Sequence, residues 1–284
     1  MALSRSINAI VCRAALLCAF AGAAHLHAQD SALPKAPWPH SSCNSPADEY
    51  APAVDLRGSG MLFTSERSGV SQVYHCSASG KVLLVGGTFN EKGRAAGYVS
   101  ITSGGDGLGA RYLLAERQTF SSIVRVTRTA DAIELGQPLE NVNGQFYASQ
   151  PTISPDDTRM MLVSDREGGF GGLDIWMLER RVDGTWSAMQ HAGEALNSPG
   201  DEISPVLVSS DTLLFASNGM GGLGGFDLYM SVYRNGRWSD PVPLDEINTG
   251  SDESDACILP DGTICFASNR AGGQGGFDLW LWKP

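Results

Sequence analysis

The chain has 284 residues, a formal net charge of −11 and 42% hydrophobic residues. That length holds one large all-β domain or two ordinary ones, and that hydrophobic content excludes wholesale disorder. The acidic balance excludes nucleic acid and anionic membrane surfaces as partners and favours cations or basic proteins.

Residues 1–28 read as an export signal. Arg5 and Arg13 accompany an apolar run from Ile7 to Ala24, and Leu26-His27-Ala28 offers a cleavage site before Gln29. The run is short and weakly hydrophobic, and no stop-transfer segment follows, so no membrane span is expected. Leu17 before Cys18 does not fit a lipoprotein signal. The chain is expected to be periplasmic or secreted after cleavage near Ala28, with residues 29–284 as a single domain. Cleavage removes two arginines and no acid, taking the net charge from −11 to −13.

The next segment, Pro37 to Glu49, parallels Thr185 to Glu202, which predicts an outer strand lying far from its blade in sequence. From there a repeat sets in. A strand ending in a small residue and a polar pair recurs as "LFTSER" (Leu62 to Arg67), "LLAERQ" (Leu113 to Gln118), "MLVSDR" (Met161 to Arg166), "LFASNG" (Leu214 to Gly219) and "CFASNR" (Cys265 to Arg270). Its small residues, Ser65, Ala115, Ser164, Ser217 and Ser268, are 50, 49, 53 and 51 residues apart. An independent marker, an apolar residue followed by Asn44, Asn90, Asn143, Asn197 or Asn248, keeps spacings of 46, 53, 54 and 51. Two markers with one period establish five repeats.

Each repeat has room for four short strands, which in the fourth copy read "ISPVLVS", "TLLFASN", "FDLYMSVYR" and "WSDPVPL". Turn chemistry separates strands at "SPDD" (154–157), "VDG" (182–184), "RNG" (234–236) and "PDG" (260–262). The expected fold is all-β, a five-bladed β-propeller of four-stranded antiparallel blades. The last copy stops after its third strand, "DLWLWKP", so Pro37 to Asn44 is expected to complete that blade and close the ring.

Three copies carry a glycine-rich loop: "GGFGGLDIW" (Gly168 to Trp176), "GGLGGFDLY" (Gly221 to Tyr229) and "GGQGGFDLW" (Gly272 to Trp280). A phosphate loop would need a following helix, and here a strand follows without a lysine. A calcium loop would need several oxygen ligands. The third copy offers Asp165 and Asp174, while Asn218 and Asn269 replace the first acid elsewhere, so no metal or other cofactor is assigned and calcium stays an alternative. The loops are read as turns whose glycines supply positive φ. Asp165, Arg166, Asp174, Asn218, Asp227, Asn269, Arg270 and Asp278 are expected to tie the loop backbone, with Arg166–Asp174 and Arg270–Asp278 pairing across the base.

An "N-[ST]-x-x-D-E" pattern places Asp48/Glu49, Asp201/Glu202 and Asp252/Glu253 in connections on the same face as the glycine loops. Ring closure makes their blades neighbours. Either each aspartate caps a turn with its glutamate solvated, or the six form a cation or basic-partner site at the channel mouth. Trp176, Tyr229 and Trp280, at equivalent third-strand positions, are read as inter-blade packing. Of the cysteines after the signal, Cys257 and Cys265 flank the "LPDGT" turn and can bridge if their register matches, and at most that bridge is expected. Cys43, at a position otherwise held by Phe89, Val142, Leu196 and Ile247, is expected to be a small buried apolar residue.

"SPDD", "FASNR", "GGxGGFDLW" and "LNSPGDE" resemble the WD40-like propeller repeats of TolB-type proteins, and more closely the periplasmic propellers of OmpA-family envelope proteins. The resemblance covers residues 37–284 and is strongest in copies three to five. It implies a cell-envelope propeller that binds an envelope protein or cell-wall glycan. The chain is thus expected to be a monomeric, non-catalytic binding or scaffolding module. His40, His75 and His191 sit in no nucleophile motif and no GxSxG elbow exists. The alternatives are a calcium-dependent binding protein and a glycosidase-like carbohydrate-active enzyme using paired carboxylates at the channel mouth, since five-bladed propellers host glycosidases.

Overall fold

The computed structural model describes residues 36–115 and 118–284, and the export signal read over residues 1–28 lies outside the described residues. Among the described residues every regular element is a strand. Blade one is β2 (Glu49–Val54), β3 (Met61–Ser65), β4 (Gln72–Cys76) and β5 (Val82–Leu84). Blade two is β6 (Ala95–Ile101), β7 (Asp106–Ala115), β8 (Gln118–Arg128) and β9 (Ile133–Pro138). Blade three is β10 (Ala148–Ile153), β11 (Arg159–Ser164), β12 (Asp174–Glu179) and β13 (Gln190–His191). Blade four is β14 (Glu202–Ser209), β15 (Thr212–Ser217) and β16 (Asp227–Arg234), with a fourth strand broken into β17 (Arg237–Trp238) and β18 (Val242–Pro243), both paired to β16. Blade five is β19 (Glu253–Ile258), β20 (Ile264–Ser268) and β21 (Asp278–Trp282), completed by β1 (Trp38–Pro39). The protein is a five-bladed β-propeller.

The second strands show why the sequence folds this way. β3, β15 and β20 are buried along their whole length, so they read as continuous apolar runs rather than alternating ones. Each such strand lies between two neighbouring blades and has no solvent face. The core is accordingly five clusters, one per pair of adjacent blades. Leu214 and Met230 of blade four, for example, pack with Ile258, Phe266 and Trp280 of blade five. Fully buried Phe63, Phe215 and Phe266, at equivalent positions, each contribute about 1.5–3 kcal/mol by leaving water.

Closure follows the sequence expectation. Trp38 pairs with Leu281 and Pro39 with Trp280, antiparallel, which covers the outer edge of β21.

The cysteine expectation is corrected. Cys43 is fully buried, but it is bridged to Cys76, while Cys257 and Cys265 are free. Those two thiols are register partners across β19 and β20. Leu259 N donates to Thr263 O, so that pair is hydrogen-bonded, and pair 257/265, two steps along, is of the same kind. Side chains at such pairs stand farther apart than at the alternating pairs. The 43–76 bridge instead ties the turn after β1 to the end of β4, so blade five's closing segment is held covalently to blade one.

Candidate functional site

The recurring asparagine has one task in all five blades. Its side-chain amide pairs with both backbone groups of one third-strand residue, the second of the strand in every blade but blade two, where Ile123 lies further along β8. Asn248 Oδ1 accepts from Leu228 N at 2.9 Å, and its Nδ2 donates to Leu228 O at 2.9 Å. Asn44 does the same to Leu279, Asn143 to Ile123 and Asn197 to Ile175. Asn90 does so to Val73 and reaches Val85 O as well. The amide replaces one peptide of a missing fourth-strand neighbour.

The glycine loops and the acidic pairs interlock, loop of one blade on pair of the next. Leu173 N donates to Asp201 Oδ1, Phe226 N to Asp252 Oδ1 and Phe277 N to Asp48 Oδ1, each at 2.9 Å. In return Glu202 N, Glu253 N and Glu49 N donate to the carbonyls of Leu173, Phe226 and Phe277 at 2.8 Å. This explains the glycines. Gly168, Gly221 and Gly272 have φ of 95°, 77° and 103°. A Cβ on Gly171, Gly224 or Gly275 would collide with a backbone carbonyl of the next blade. Within each loop the strand-opening aspartate caps backbone N–H groups, as Asp278 Oδ2 does for Gln274 and Gly275 at 2.8 and 3.0 Å. Asn218 and Asn269 accept from Asp201 N and Asp252 N, and Asp165 accepts from Tyr147 N.

Neither reading of the acidic pairs anticipated the glutamates. Glu49, Glu202 and Glu253 are fully buried rather than solvated on a rim. Each accepts from a backbone N–H and a hydroxyl four residues upstream and from the serine ending the second strand: Ser198 and Ser217 for Glu202, Ser45 and Ser65 for Glu49, Thr249 and Ser268 for Glu253. Arg67 and Arg270 answer Glu49 and Glu253 at 3.0 and 2.9 Å. Burial raises the Glu202 carboxyl, against the pull of its hydroxyl donors, and nearby Asp174 adds to the rise. Asp48, Asp201 and Asp252 are half-buried between blades.

The expected pairing of Arg166 with Asp174 and of Arg270 with Asp278 does not occur. Arg166 donates to Ser164 Oγ and to Val142 O, Arg270 to Ser268 Oγ, Ile247 O and Glu253. Both guanidiniums lie over the ring of the third-strand tryptophan, Trp176 at 5.4 Å and Trp280 at 5.3 Å. Asp174 Oδ1 instead faces His191 Nε2 at 3.4 Å.

The residues lining the central channel were missed by sequence reasoning. Its walls are β2, β6, β10, β14 and β19, and each strand breaks register at one left-handed residue: Ala51, Tyr98, Gln150, Ser204 and Asp255, with φ between 48° and 54°. No residue type is shared among the five, so no motif marks them. Their side chains cap an apolar cavity of about 130 Å³. Ser204 links two neighbours, donating from N to Gln150 Oε1 at 2.7 Å and from Oγ to Asp255 Oδ1 at 2.6 Å. Burial pushes the Asp255 carboxyl up, opposed by hydrogen bonds from Ser204, Ser254 and Tyr98. Among the described residues it is the only carboxylate lining that cavity.

On the loop face, apolar side chains stand in solvent on three consecutive blades. Leu113 and Phe120 flank the β7–β8 connection, and Phe170 and Leu223 occupy the middle of their glycine loops, at 65%, 47%, 49% and 67% exposure. Trp176, Tyr229 and Trp280 are buried in the inter-blade clusters.

No protein-family model matches the sequence, and no curated protein matches it. Similar folds occur among solved structures. TolB from Acinetobacter baumannii is 15% identical with a TM-score of 0.51, over 83% of this chain and 54% of that one. Bacteroides ovatus xyloglucan PUL GH43B is 13% identical with a TM-score of 0.53, over 86% and 53%. A protein of unknown function from Dyadobacter fermentans is 11% identical with a TM-score of 0.51, over 82% and 76%. The chain spans about half the length of the TolB and GH43B chains. At these identities the likeness is one of fold, shared by a TolB and a GH43B alike.

Proposed function

We propose that this chain is an exported, non-catalytic propeller that binds a protein partner in the cell envelope through the face bearing the glycine loops. The observation that carries the reading is the row of exposed apolar tips, Leu113, Phe120, Phe170 and Leu223, on three adjacent blades. Isolated exposed apolar residues are ordinary, but a set carried by three adjacent blades on one face marks an interaction surface. Clamps beneath hold Phe170 and Leu223 in place, since the glycine loops of blades three and four are each bonded to the next blade. Apolar tips favour a protein over a glycan. Export follows from the residues 1–28 signal, and the envelope setting from the TolB-type resemblance of the repeats.

The glycosidase alternative has less support. It needs two carboxylates about 5–10 Å apart and open to substrate, whereas Glu49, Glu202 and Glu253 are buried acceptors. Two measurements test the reading. The mature chain from an exporting host should begin at Gln29. Capture from envelope extract should fall when Phe170 and Leu223 become Asp, and should persist when Val182, exposed on the opposite face, does. Equal capture by both variants would overturn the assignment of the face, and loss on chelation would favour the calcium alternative.

A further inference from the structure

Blade four lacks an arginine that both its neighbours supply and an imidazole that blade three supplies. In blades one, three and five an arginine two residues past the second-strand serine, Arg67, Arg166 or Arg270, covers a third-strand aromatic, Tyr74, Trp176 or Trp280, at 4.9, 5.4 and 5.3 Å. Its Nη2 donates to a carbonyl of the asparagine turn: Cys43, Val142 or Ile247. In blade four the corresponding residue is Gly219, although Ser217, Glu202 and the aromatic Tyr229 are all in place.

The second missing group is an imidazole. In blade three, His191 faces Asp174 Oδ1 and is packed edge-on against Phe170 and Trp176, at 4.6 and 5.2 Å between ring centres. His191 pairs in register with Trp176, and the residue paired with Tyr229 is Pro243. Asp227 is 1% exposed, and its Oδ1 is buried with no hydrogen-bond partner among the described residues. Asp278 Oδ1 is likewise unpartnered opposite Pro39, but there Arg270 still covers the aromatic. Blade four alone of these three has neither.

A cavity of about 590 Å³ lies at this place. Asp227, Tyr229, Glu194, Asp240 and Asp245 line it, and among the described residues no lysine, arginine or histidine does. Burial raises the Tyr229 phenol, and the charges of Asp227 and Asp245 add to the rise. The carboxylates are spread out. Among the described residues, the one potential metal-ligand group within 4.8 Å of itself is His40 with the bridged Cys43 and Cys76. The cavity thus suits a flat, extended organic cation rather than an enclosed metal ion.

We propose that this cavity binds a guanidinium group from outside the chain, stacked on Tyr229 and donating to Asp227, with Asp240, Asp245 and Glu194 supplying the field. The chain's own arginines at the equivalent aromatics are the template. A guanidinium combines fork-like donors with a face that stacks on a ring, which an ammonium lacks. Half-buried Met220, packed in the same cluster, borders the cavity and must yield. The inference rests on reading the chain as a binding module. Its test uses small probes, so its failure would leave capture by the apolar tips untouched.

The test is calorimetric titration of the full exported chain with N-acetyl-arginine amide, with N-acetyl-lysine amide and NaCl at matched ionic strength as references. One site is expected, with arginine preferred about tenfold over lysine. Asp240→Asn with Asp245→Asn, both surface changes, should weaken binding about tenfold without altering melting. Free arginine and the peptide acetyl-Gly-Arg-Gly-amide separate the sources. A peptide binding as well as the amide marks a partner's side chain, and binding of free arginine alone marks a solute. No heat from arginine amide at about 10 mM, or equal binding of lysine amide unaffected by the double variant, would overturn the proposal.

Discussion

Replacing Asn248 by leucine, nearly the same size, isolates the amide that holds blade four to its asparagine turn. Both bonds to Leu228 are lost, and Asn248 is 7% exposed while Leu228 is fully buried. The Leu228 carbonyl keeps a second donor, Leu244 N at 3.0 Å, so only its N–H is stranded. Two lost bonds at about 0.5–1.5 kcal/mol each, with a stranded buried donor at about 1–3 kcal/mol, less the gain from burying leucine, give about 2–4 kcal/mol. For a chain of this size that lowers the melting temperature by roughly 5–15 °C. Thermal melts with urea titrations read it, and Asn141→Leu at an exposed asparagine is the control. Asn143→Leu should cost less than Asn248→Leu, because Asn143 is only half-buried. If Asn248→Leu melts with Asn141→Leu, the amide is not a backbone substitute.

Three further outcomes follow from the same contacts. Cys43→Ser with Cys76→Ser opens a 33-residue loop and should cost about 3–4 kcal/mol in the chain-entropy account, while peptide mapping finds Cys257 and Cys265 alkylated only after unfolding. Deleting Pro37 to Asn44 removes β1, Cys43 and Asn44 together and should lower melting sharply and raise light scattering, and unchanged melting would refute closure by β1. Burial raises the Asp255 carboxyl, so the folded chain keeps that proton to higher pH than the unfolded one. Stability is therefore lost as pH climbs from the unfolded value of about 3.9 through the raised folded value. Asp255→Asn should flatten part of that slope in denaturant titrations, leaving the share from Glu202, which is pushed the same way.

The period, the five blades and the closing strand were legible because each copy repeats the same backbone demand. The glycine loops read correctly as turns because a helix and a lysine were absent. Their docking on the next blade was not legible, since a carbonyl in another repeat sets the need for Gly171, Gly224 and Gly275. Glu49, Glu202 and Glu253 misled because turn acids are usually solvated, and the donors that make burial tolerable include a serine ending the neighbouring strand, which the local pattern does not show. The arginines were assigned to the wrong acid because sequence distance favoured Asp174 and Asp278 over a carbonyl in the preceding turn. Ala51, Tyr98, Gln150, Ser204 and Asp255 share a backbone state but no chemistry, so the channel ring left no trace in the pattern.

Hydroxyl-radical footprinting of the exported chain, in intact envelope and after purification, tests the assignment of the binding face directly. The account predicts that Leu113, Phe120, Phe170 and Leu223 lose reactivity in the envelope while Val182, on the opposite face, keeps it. Protection of Val182 with the four tips fully reactive would contradict it.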